Sequence, residues 1–159
     1  MAMDEQYLKV DMESVVPHRA PMLLIDEVES FDAERKHVTV SARIRPDSPF
    51  FDGEGVPAWV AIEYMAQAAA TLAGLGDSIE DPGGKPRPGL LLGTRCLTLS
   101  ADRFAVGATY RISALCTFDD STAAAFQCEM TDDAGRVVAS VSLNAYRPPD
   151  MIAFLKEHA

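Results

Sequence analysis

The chain has 159 residues, of which 48% are hydrophobic and 24% charged, and its formal net charge is −10. This composition predicts one globular domain over residues 1–159. The acidic charge argues against nucleic acids and anionic membranes as partners, and no apolar run reaches the roughly 20 residues that span a bilayer. Residues Met1–Glu5 lack the basic and apolar regions of a signal peptide, so we expect a cytoplasmic protein.

The cysteines and the basic residues are both scattered. Cys96, Cys116 and Cys128 form no pair with the spacing of a disulfide motif or a metal site, so we predict free thiols in the core and no metal. An acidic partner would need a local basic patch, and the candidates for it are Arg43, Arg45, Lys85, Arg87, Arg95 and Arg103.

The first third of the chain predicts short elements. Residues 10–16 favour a helical turn that ends at Pro17, and Met22–Ile25 favours a short strand or extended segment. Residues 36–44 alternate between apolar and polar side chains, which predicts a strand. Pro57 then suits the first turn of a helix.

Residues 57–75 predict a long helix that is apolar nearly all round and ends near Gly74–Gly76. A helix of this kind is normally buried. Glu63 is its only charged residue, and a carboxylate is almost never fully buried without a partner. Glu63 therefore either lines a cavity, where it would do chemistry, or is a structural carboxylate paired with a buried arginine or with the backbone.

The rest of the chain predicts strands. A Gly/Pro-rich loop at 81–89 is followed by runs that suit a meander with tight turns at 119–121 and 132–135. A helix followed by successive hairpins predicts an α+β fold in which one antiparallel sheet wraps the helix, and the uncovered sheet edge predicts a dimer. We expect strands at Leu90–Leu99, Thr109–Phe118, Ala123–Met130 and Val137–Tyr146, and a short terminal helix after Pro148-Pro149.

Three stretches carry a resemblance to a known family. Residues 17–28 read PHRAPMLLIDEV, Phe50–Gly53 is followed by Ile62–Ala68 (IEYMAQA), and Asp102–Tyr110 opens a strand. In this order and spacing they resemble the hotdog-fold 3-hydroxyacyl-ACP dehydratases of type II fatty acid synthesis. The resemblance covers about residues 14–147, which implies a domain core over that range and a short C-terminal tail at 148–159. The resemblance implies a hotdog fold, a curved antiparallel sheet around the helix at 57–75, assembled as a dimer.

One motif of that family is missing. Its members place a Gly-His-Phe-Pro-Gly sequence after the "FF-G" loop, and this histidine is their catalytic base. Here the loop Phe51–Pro57 is shorter and has no histidine. The pattern is closer to a divergent branch, the dehydratase-like proteins of aryl polyene biosynthesis, in which a second dehydratase-like subunit accompanies this one.

The implied reaction needs a base for the C2 proton, an acid for the 3-hydroxyl and a group that polarises the thioester carbonyl. By resemblance, Glu63 is the helix carboxylate of this chemistry. His18 is either structural or takes the place of the missing base. Gln67 would orient the carboxyl or bind the leaving water, and Trp59 would line the acyl tunnel or belong to the core. The candidates for substrate contacts are Gln67, Trp59, Pro57 and Phe51.

Four functions remain open from the sequence. The chain supplies Glu63 to a heterodimeric acyl-ACP dehydratase whose partner supplies the histidine, or it is a homodimeric dehydratase that uses His18 with Glu63. Otherwise it is a hotdog acyl thioesterase, or a non-catalytic acyl-binding or scaffolding subunit. In the dehydratase readings the acyl group arrives on the phosphopantetheine arm of an acyl carrier protein, so the resemblance implies no tightly bound cofactor.

Overall fold

A computed structural model describes residues 5–159. The expectation that Met1–Glu5 is not part of a signal peptide therefore concerns, at Met1–Asp4, residues outside the described part of the chain. Short 3₁₀ turns occur at Glu5–Lys9, Met12–Ser14 and Ala58–Val60. The α-helices are α1 (Ala61–Glu80) and α2 (Met151–Glu157). The strands are β1 (Glu27–Asp32), β2 (His37–Arg43), β3 (Val56–Pro57), β4 (Leu90–Leu99), β5 (Arg103–Phe104), β6 (Thr109–Asp119), β7 (Ala123–Thr131) and β8 (Val137–Tyr146).

The predicted hotdog architecture is confirmed. Six strands form one antiparallel sheet in the order β1-β2-β6-β7-β8-β4, and β3 pairs with β5 in a separate two-stranded ribbon. The predicted turns join β6 to β7 and β7 to β8. Asp120 accepts hydrogen bonds from the backbone of Thr122 and Ala123, and Gly135 adopts a φ of 79°, a conformation that favours glycine.

Helix α1 lies in the concave face of the sheet and packs mainly on β2, β6 and β7. Its buried face includes Tyr64, Met65 and Leu72, and the sheet contributes buried side chains from each of those strands. Burial of the Cys128 thiol among them raises its pKa to about 12, which keeps it protonated. The helix is held by apolar burial, and each large side chain contributes about 1.5–3 kcal/mol.

The end of α1 differs from the prediction. The helix continues through Gly74 and Gly76 to Glu80, where the sequence predicted a stop near the glycines. The reason is a close approach of backbone to backbone. A Cβ atom on Gly74 would lie 1.8 Å from the carbonyl oxygen of Val15, so this glycine makes room for the N-terminal segment and does not end the helix.

Strand β1 was not predicted, and Met22–Ile25 forms no strand. The pairing of β1 with β2 shifts register between Val28 and Ser30. This bulge places the buried residues Val28 and Phe31 three positions apart, which breaks the alternation by which a strand is recognised.

The cysteines occupy strands as predicted, but the prediction that all three lie in the core was wrong. Cys128 is buried, Cys116 is partly exposed and Cys96 is exposed on β4. The reason is the position of β4 at the edge of the sheet, where most of its residues are exposed. Leu91, Leu92 and Leu97 are among its exposed apolar side chains. Across the described residues, neither α-helix combines the length and apolarity of a membrane span.

Candidate active site

Glu63 lies in the first turn of α1, at the mouth of a cleft. Its side chain is 32% exposed, so the helix does not bury this carboxylate in the core. A negative charge in the first helical turn is also favoured by the helix dipole. Of the two alternatives that the sequence left for Glu63, the structure therefore shows the one in which the carboxylate lines a cavity.

Gln67 lies one helical turn after Glu63 and fixes its carboxylate. The Gln67 Nε2 group donates to Glu63 Oε1 at 2.8 Å and to the Met22 carbonyl at 2.7 Å, while its Oε1 accepts from the Leu24 N–H at 2.8 Å. The side chain is fully buried, and both amide hydrogens are engaged. This geometry favours orientation of the carboxylate over binding of a leaving water.

His18 faces Glu63 from the segment that precedes β1. Its Nε2 atom lies 3.6 Å from Glu63 Oε1, and its Nδ1 atom is buried without a hydrogen-bond partner among residues 5–159. Burial lowers the pKa of His18 below 6.5; the nearby Glu63 carboxylate acts in the opposite direction and Arg19 adds to the lowering. The imidazole is therefore mainly neutral at pH 7, as a proton acceptor must be.

The segment that carries His18 is fixed by its own backbone contacts. Arg19 Nη1 donates to the carbonyls of Val16 and His18 at 3.0 and 2.8 Å, and the Arg19 carbonyl accepts from the N–H groups of Met22 and Leu23. These bonds fix the shape of the segment, while the contact of Val15 with Gly74 and the Gln67 bonds to Met22 and Leu24 hold it against α1. The sequence could not predict this placement, because 45 positions separate His18 from Glu63.

The cleft has a volume of about 620 Å³ and runs along the exposed side of α1. His18 and Glu63 lie at one part of it. Small helix residues follow, and the opposite wall comes from the ends of β7 and β8. Apolar residues of the two walls include Ala66, Ala69, Ala70, Leu72 and Ala73 on the helix and Ala124, Phe126, Leu143 and Ala145 on the sheet.

The other predicted contacts do not line this cleft. Trp59 is 58% exposed and packs edge-on against Phe50 with 6.2 Å between ring centroids, so it does not belong to the core, and its contact with the acyl group stays a prediction. Phe51 is exposed, and Pro57 pairs with Arg103 in the small β3–β5 ribbon. Of the six predicted site residues, the structure brings together His18, Glu63 and Gln67.

The loop without histidine is held by a carboxylate. Asp52 accepts from Arg103 Nε at 2.6 Å and from the N–H groups of Glu54 and Gly55, each at 3.0 Å. Hydrogen bonding to Arg103 and to this backbone lowers the pKa of Asp52. A Cβ atom on Gly55 would lie 2.5 Å from the Phe104 carbonyl oxygen, so the loop is folded tightly onto β5.

A second polar cluster lies near the end of α1 and was missed from the sequence. Arg147 Nη1 donates to both oxygens of Asp77, at 3.0 and 2.8 Å, and Arg87 Nη2 donates to the same carboxylate at 2.7 Å. The sequence offered no local signal for this cluster, because Asp77 and Arg147 are 70 positions apart. Of the candidates for a basic patch, the ones that the structure pairs with carboxylates are Arg45, Arg87 and Arg103. Within residues 5–159, no three His, Cys, Asp or Glu side chains come together as a metal site.

Comparison with known proteins points to one family. A family model described as "ApeP dehydratase" (ApeP-like) matches residues 10–156. The dehydratase heterocomplex ApeI:P from Xenorhabdus doucetiae contains a similar chain, with a TM-score of 0.81, 28% identity and coverage of 92% of this chain and 96% of that one. A hypothetical thioesterase from Streptococcus pneumoniae is similar with a TM-score of 0.58 and 12% identity over 85% of this chain and 89% of that one, which shows a shared fold.

Curated relatives agree over part of the chain. The 3-hydroxyacyl-[acyl-carrier-protein] dehydratase FabZ of Chlamydia abortus is 36% identical over 70 residues, which are 41% of this chain. That of Anaeromyxobacter dehalogenans is 38% identical over 69 residues, 40% of this chain and 44% of the relative. The chain spans about half the length of the curated relatives it matches, 46% for the Chlamydia protein. Because the family match covers most of its length, the chain belongs to the ApeP-like dehydratase family.

Proposed function

We propose that this protein dehydrates 3-hydroxyacyl thioesters, carried on an acyl carrier protein, to trans-2-enoyl thioesters. The observation that carries this proposal is the pair formed by His18 and Glu63, 3.6 Å apart at an apolar cleft in a member of a dehydratase family. The FabZ relatives, named as 3-hydroxyacyl-ACP dehydratases, support the substrate class.

The two side chains supply the base and the acid that the reaction needs. Neutral His18 takes the proton from C2 through Nε2, the electrons of that C–H bond form the C2–C3 double bond, and the C3–O bond breaks. Protonated Glu63 supplies the proton that turns the leaving hydroxyl into water. An imidazolium and a carboxylate remain, and transfer of one proton across their 3.6 Å separation restores the starting state. The positive end of the α1 dipole favours the charge that develops on the thioester oxygen.

Gln67 is a positioning residue in this mechanism. Its amide holds the Glu63 carboxyl at 2.8 Å and ties the helix to the chain that follows His18 at Met22 and Leu24. A fixed geometry of acid and base matters because small displacements of reacting groups reduce rates strongly.

The proposal includes assembly with a second hotdog subunit in aryl polyene or fatty acid type biosynthesis. Two features support a partner: the likeness to a chain of the ApeI:P heterocomplex, and the exposed edge strand β4 with its leucines. An unpaired apolar edge of this kind is a template for pairing with another sheet. The partner is a different hotdog protein that contributes its own histidine, or a second copy of this chain that relies on His18.

The experiment is a dehydration assay of 3-hydroxyacyl-ACP, with water loss followed by mass spectrometry. The purified chain is assayed alone and with a histidine-bearing hotdog partner, as wild type, His18→Ala and Glu63→Gln. His158→Ala and Glu129→Gln are the matched controls, because both residues are exposed and lie outside the cleft.

Turnover by the chain alone that His18→Ala and Glu63→Gln both abolish would establish the self-contained site. Turnover only with the partner, lost in Glu63→Gln and kept in His18→Ala, would make this chain the subunit that donates the acid. Full activity of the complex with Glu63→Gln would contradict a catalytic role for this chain and leave it as a binding or scaffolding subunit.

A further inference from the structure

The cleft beside His18 and Glu63 has a regular floor. Ala66, Ala70 and Ala73 follow Glu63 along the exposed side of α1, and all three line the same cavity. With a rise of about 1.5 Å per residue, they lie about 4.5, 10.5 and 15 Å from Glu63 along the helix axis. Their side chains end at Cβ, so a larger side chain at any of them would project into the cleft.

The opposite wall contributes apolar side chains from β7 and β8, and polar residues next to β7, Asp119, Ser121 and Thr122, also line the cavity. Ala124 and Phe126 on β7 and Leu143 and Ala145 on β8 face the helix across the cavity. An apolar channel of this kind favours an alkyl or polyene chain, because transfer of each methylene from water is favourable by about 0.8 kcal/mol.

The far end of the channel is charged. Asp77 follows Ala73 by one turn and is bound by Arg147 and Arg87, and Glu80 lines the same end. An apolar chain end that reached these groups would displace their water without replacing its hydrogen bonds, which is unfavourable. The apolar part of the channel therefore extends about 15 Å from Glu63, as far as Ala73.

We propose that this channel holds the acyl chain and that Ala66, Ala70 and Ala73 set the chain lengths the protein accepts. The inference rests on the proposed function, since it places the thioester and C2–C3 at His18 and Glu63 and the rest of the acyl group along the helix. Each alanine then meets a different part of the chain: Ala66 the carbons next to the reacting bond, Ala70 the middle, and Ala73 the distal end.

The test is a series of single substitutions, Ala66→Leu, Ala70→Leu and Ala73→Leu, in the full chain with its partner where turnover requires it. The kcat/KM values are measured for 3-hydroxybutyryl-, hexanoyl-, decanoyl- and tetradecanoyl-ACP. Ala153→Leu is the control, because Ala153 is exposed on α2 and lies outside the cleft. Melting temperatures identify folding defects, and Ala→Met variants at the same positions replace any leucine variant that does not fold, since methionine adapts its shape.

We expect each substitution to exclude substrates above a different chain length. Ala73→Leu lowers kcat/KM only for the longest substrate, Ala70→Leu for the two longest, and Ala66→Leu for all but the shortest, each by roughly tenfold or more. Wild-type length preference in all three variants would overturn the proposal, as would an equal loss for every length. Loss of association with the partner would also overturn it, because the alanines would then be a subunit contact.

A binding measurement separates this inference from the proposed function. Calorimetric titration with saturated acyl pantetheine thioesters of the same lengths, which have neither a 3-hydroxyl group nor a C2–C3 double bond, reports occupancy of the channel without turnover. If the variants lose binding in order of chain length but the wild type dehydrates no substrate, the channel is supported and the dehydratase function is refuted. If the wild type dehydrates its substrates but the variants bind all chain lengths equally well, the function is supported and the channel is refuted.

Discussion

Helix α1 presents three carboxylates, those of Glu63, Asp77 and Glu80, to the same cleft, and the surroundings of Glu63 and Asp77 differ. Glu63 in the first turn accepts one amide hydrogen bond, from Gln67, and faces a histidine whose pKa is lowered. Asp77 in the last turn has both oxygens occupied by arginines. The Asp77 carboxylate is thus enclosed by arginine donors, whereas Glu63 accepts a hydrogen bond from one neutral amide and lies 3.6 Å from the His18 imidazole. Carboxylates at the two ends of the helix therefore have different surroundings, which fit the proposed acid at Glu63 and an ion pair that holds the structure together at Asp77.

The largest expected difference comes from neutralising each carboxylate. Glu63→Gln keeps the side-chain shape but removes the proton donor, so we expect kcat to fall by about 10²–10⁴-fold with little change in stability. Asp77→Asn leaves Arg147, only 21% exposed, without its ion pair, so we expect the free energy of unfolding to fall by about 1–2 kcal/mol. Activity is measured on 3-hydroxybutyryl-ACP, which is too short to reach Asp77, and stability by urea unfolding. The comparison breaks if Asp77→Asn costs as much activity as Glu63→Gln.

The pH dependence sharpens the role of the imidazole. The pKa of His18 lies below 6.5 because of burial, so the neutral base persists to lower pH than it would for a free histidine. We expect kcat/KM to be independent of His18 protonation near neutral pH and to fall about tenfold per pH unit once the pH drops below that lowered pKa. NMR titration of the His18 ring checks the assignment. Glu63→Gln removes the charge that raises this pKa, so the titration should move to still lower pH, and a move to higher pH would contradict the contact.

Gln67 tests how much of the difference comes from positioning. Gln67→Leu removes the hydrogen bond that orients the Glu63 carboxyl. It also leaves the Met22 carbonyl and the Leu24 N–H without their side-chain partner. We expect kcat to fall by roughly tenfold with a smaller change in KM, and the free energy of unfolding to fall by about 1–3 kcal/mol. Thr71→Val is the control, because Thr71 is equally buried one turn further along and bonds only to the Gln67 carbonyl in the helix. Equal kinetic effects of both variants would reduce Gln67 to a structural role.

The smallest effect is expected at Trp59. Because its side chain is 58% exposed and lies outside the cleft, Trp59→Ala should change the free energy of unfolding by less than about 0.5 kcal/mol and leave kcat/KM unaltered. Phe104→Ala, at a fully buried aromatic, should cost about 3–5 kcal/mol in the same urea experiment. A large decrease in kcat/KM for Trp59→Ala would indicate that this side chain contacts the substrate.

The sequence predicted the elements whose patterns are local. The strand at 36–44, the helix core and the β6–β8 meander follow from alternation, apolar length and Asp/Gly turn chemistry. The two-residue strands β3 and β5 are too short to show a pattern, and a bulge conceals β1. Gly74 was misinterpreted as a helix end because its reason, the nearby Val15 carbonyl, lies far away in the chain.

The site residues likewise divide into contacts that a local spacing predicts and contacts that depend on tertiary packing. The four-residue spacing of Glu63 and Gln67 predicts their contact on one helix face, and the structure shows it. Trp59 lies in the 3₁₀ turn Ala58–Val60 before the helix and outside the cleft that Glu63 lines, so its substrate contact stays a prediction. The approach of His18 depends on tertiary packing, so the sequence offered it only through a resemblance.

The close approach of Gly74 to Val15 has a consequence for how activity is lost on heating. The segment that holds His18 lies outside the six-stranded sheet and docks through the buried side chains of Val15 and Val16, this backbone contact and the Gln67 bonds to the chain that follows His18. Terminal segments detach at a lower free energy than the whole fold. Detachment would carry the imidazole away from Glu63 while the sheet stays paired, so inactivation should precede global melting and be reversible on cooling. Loss of activity on heating would then report detachment of the segment that carries His18, before the sheet unfolds.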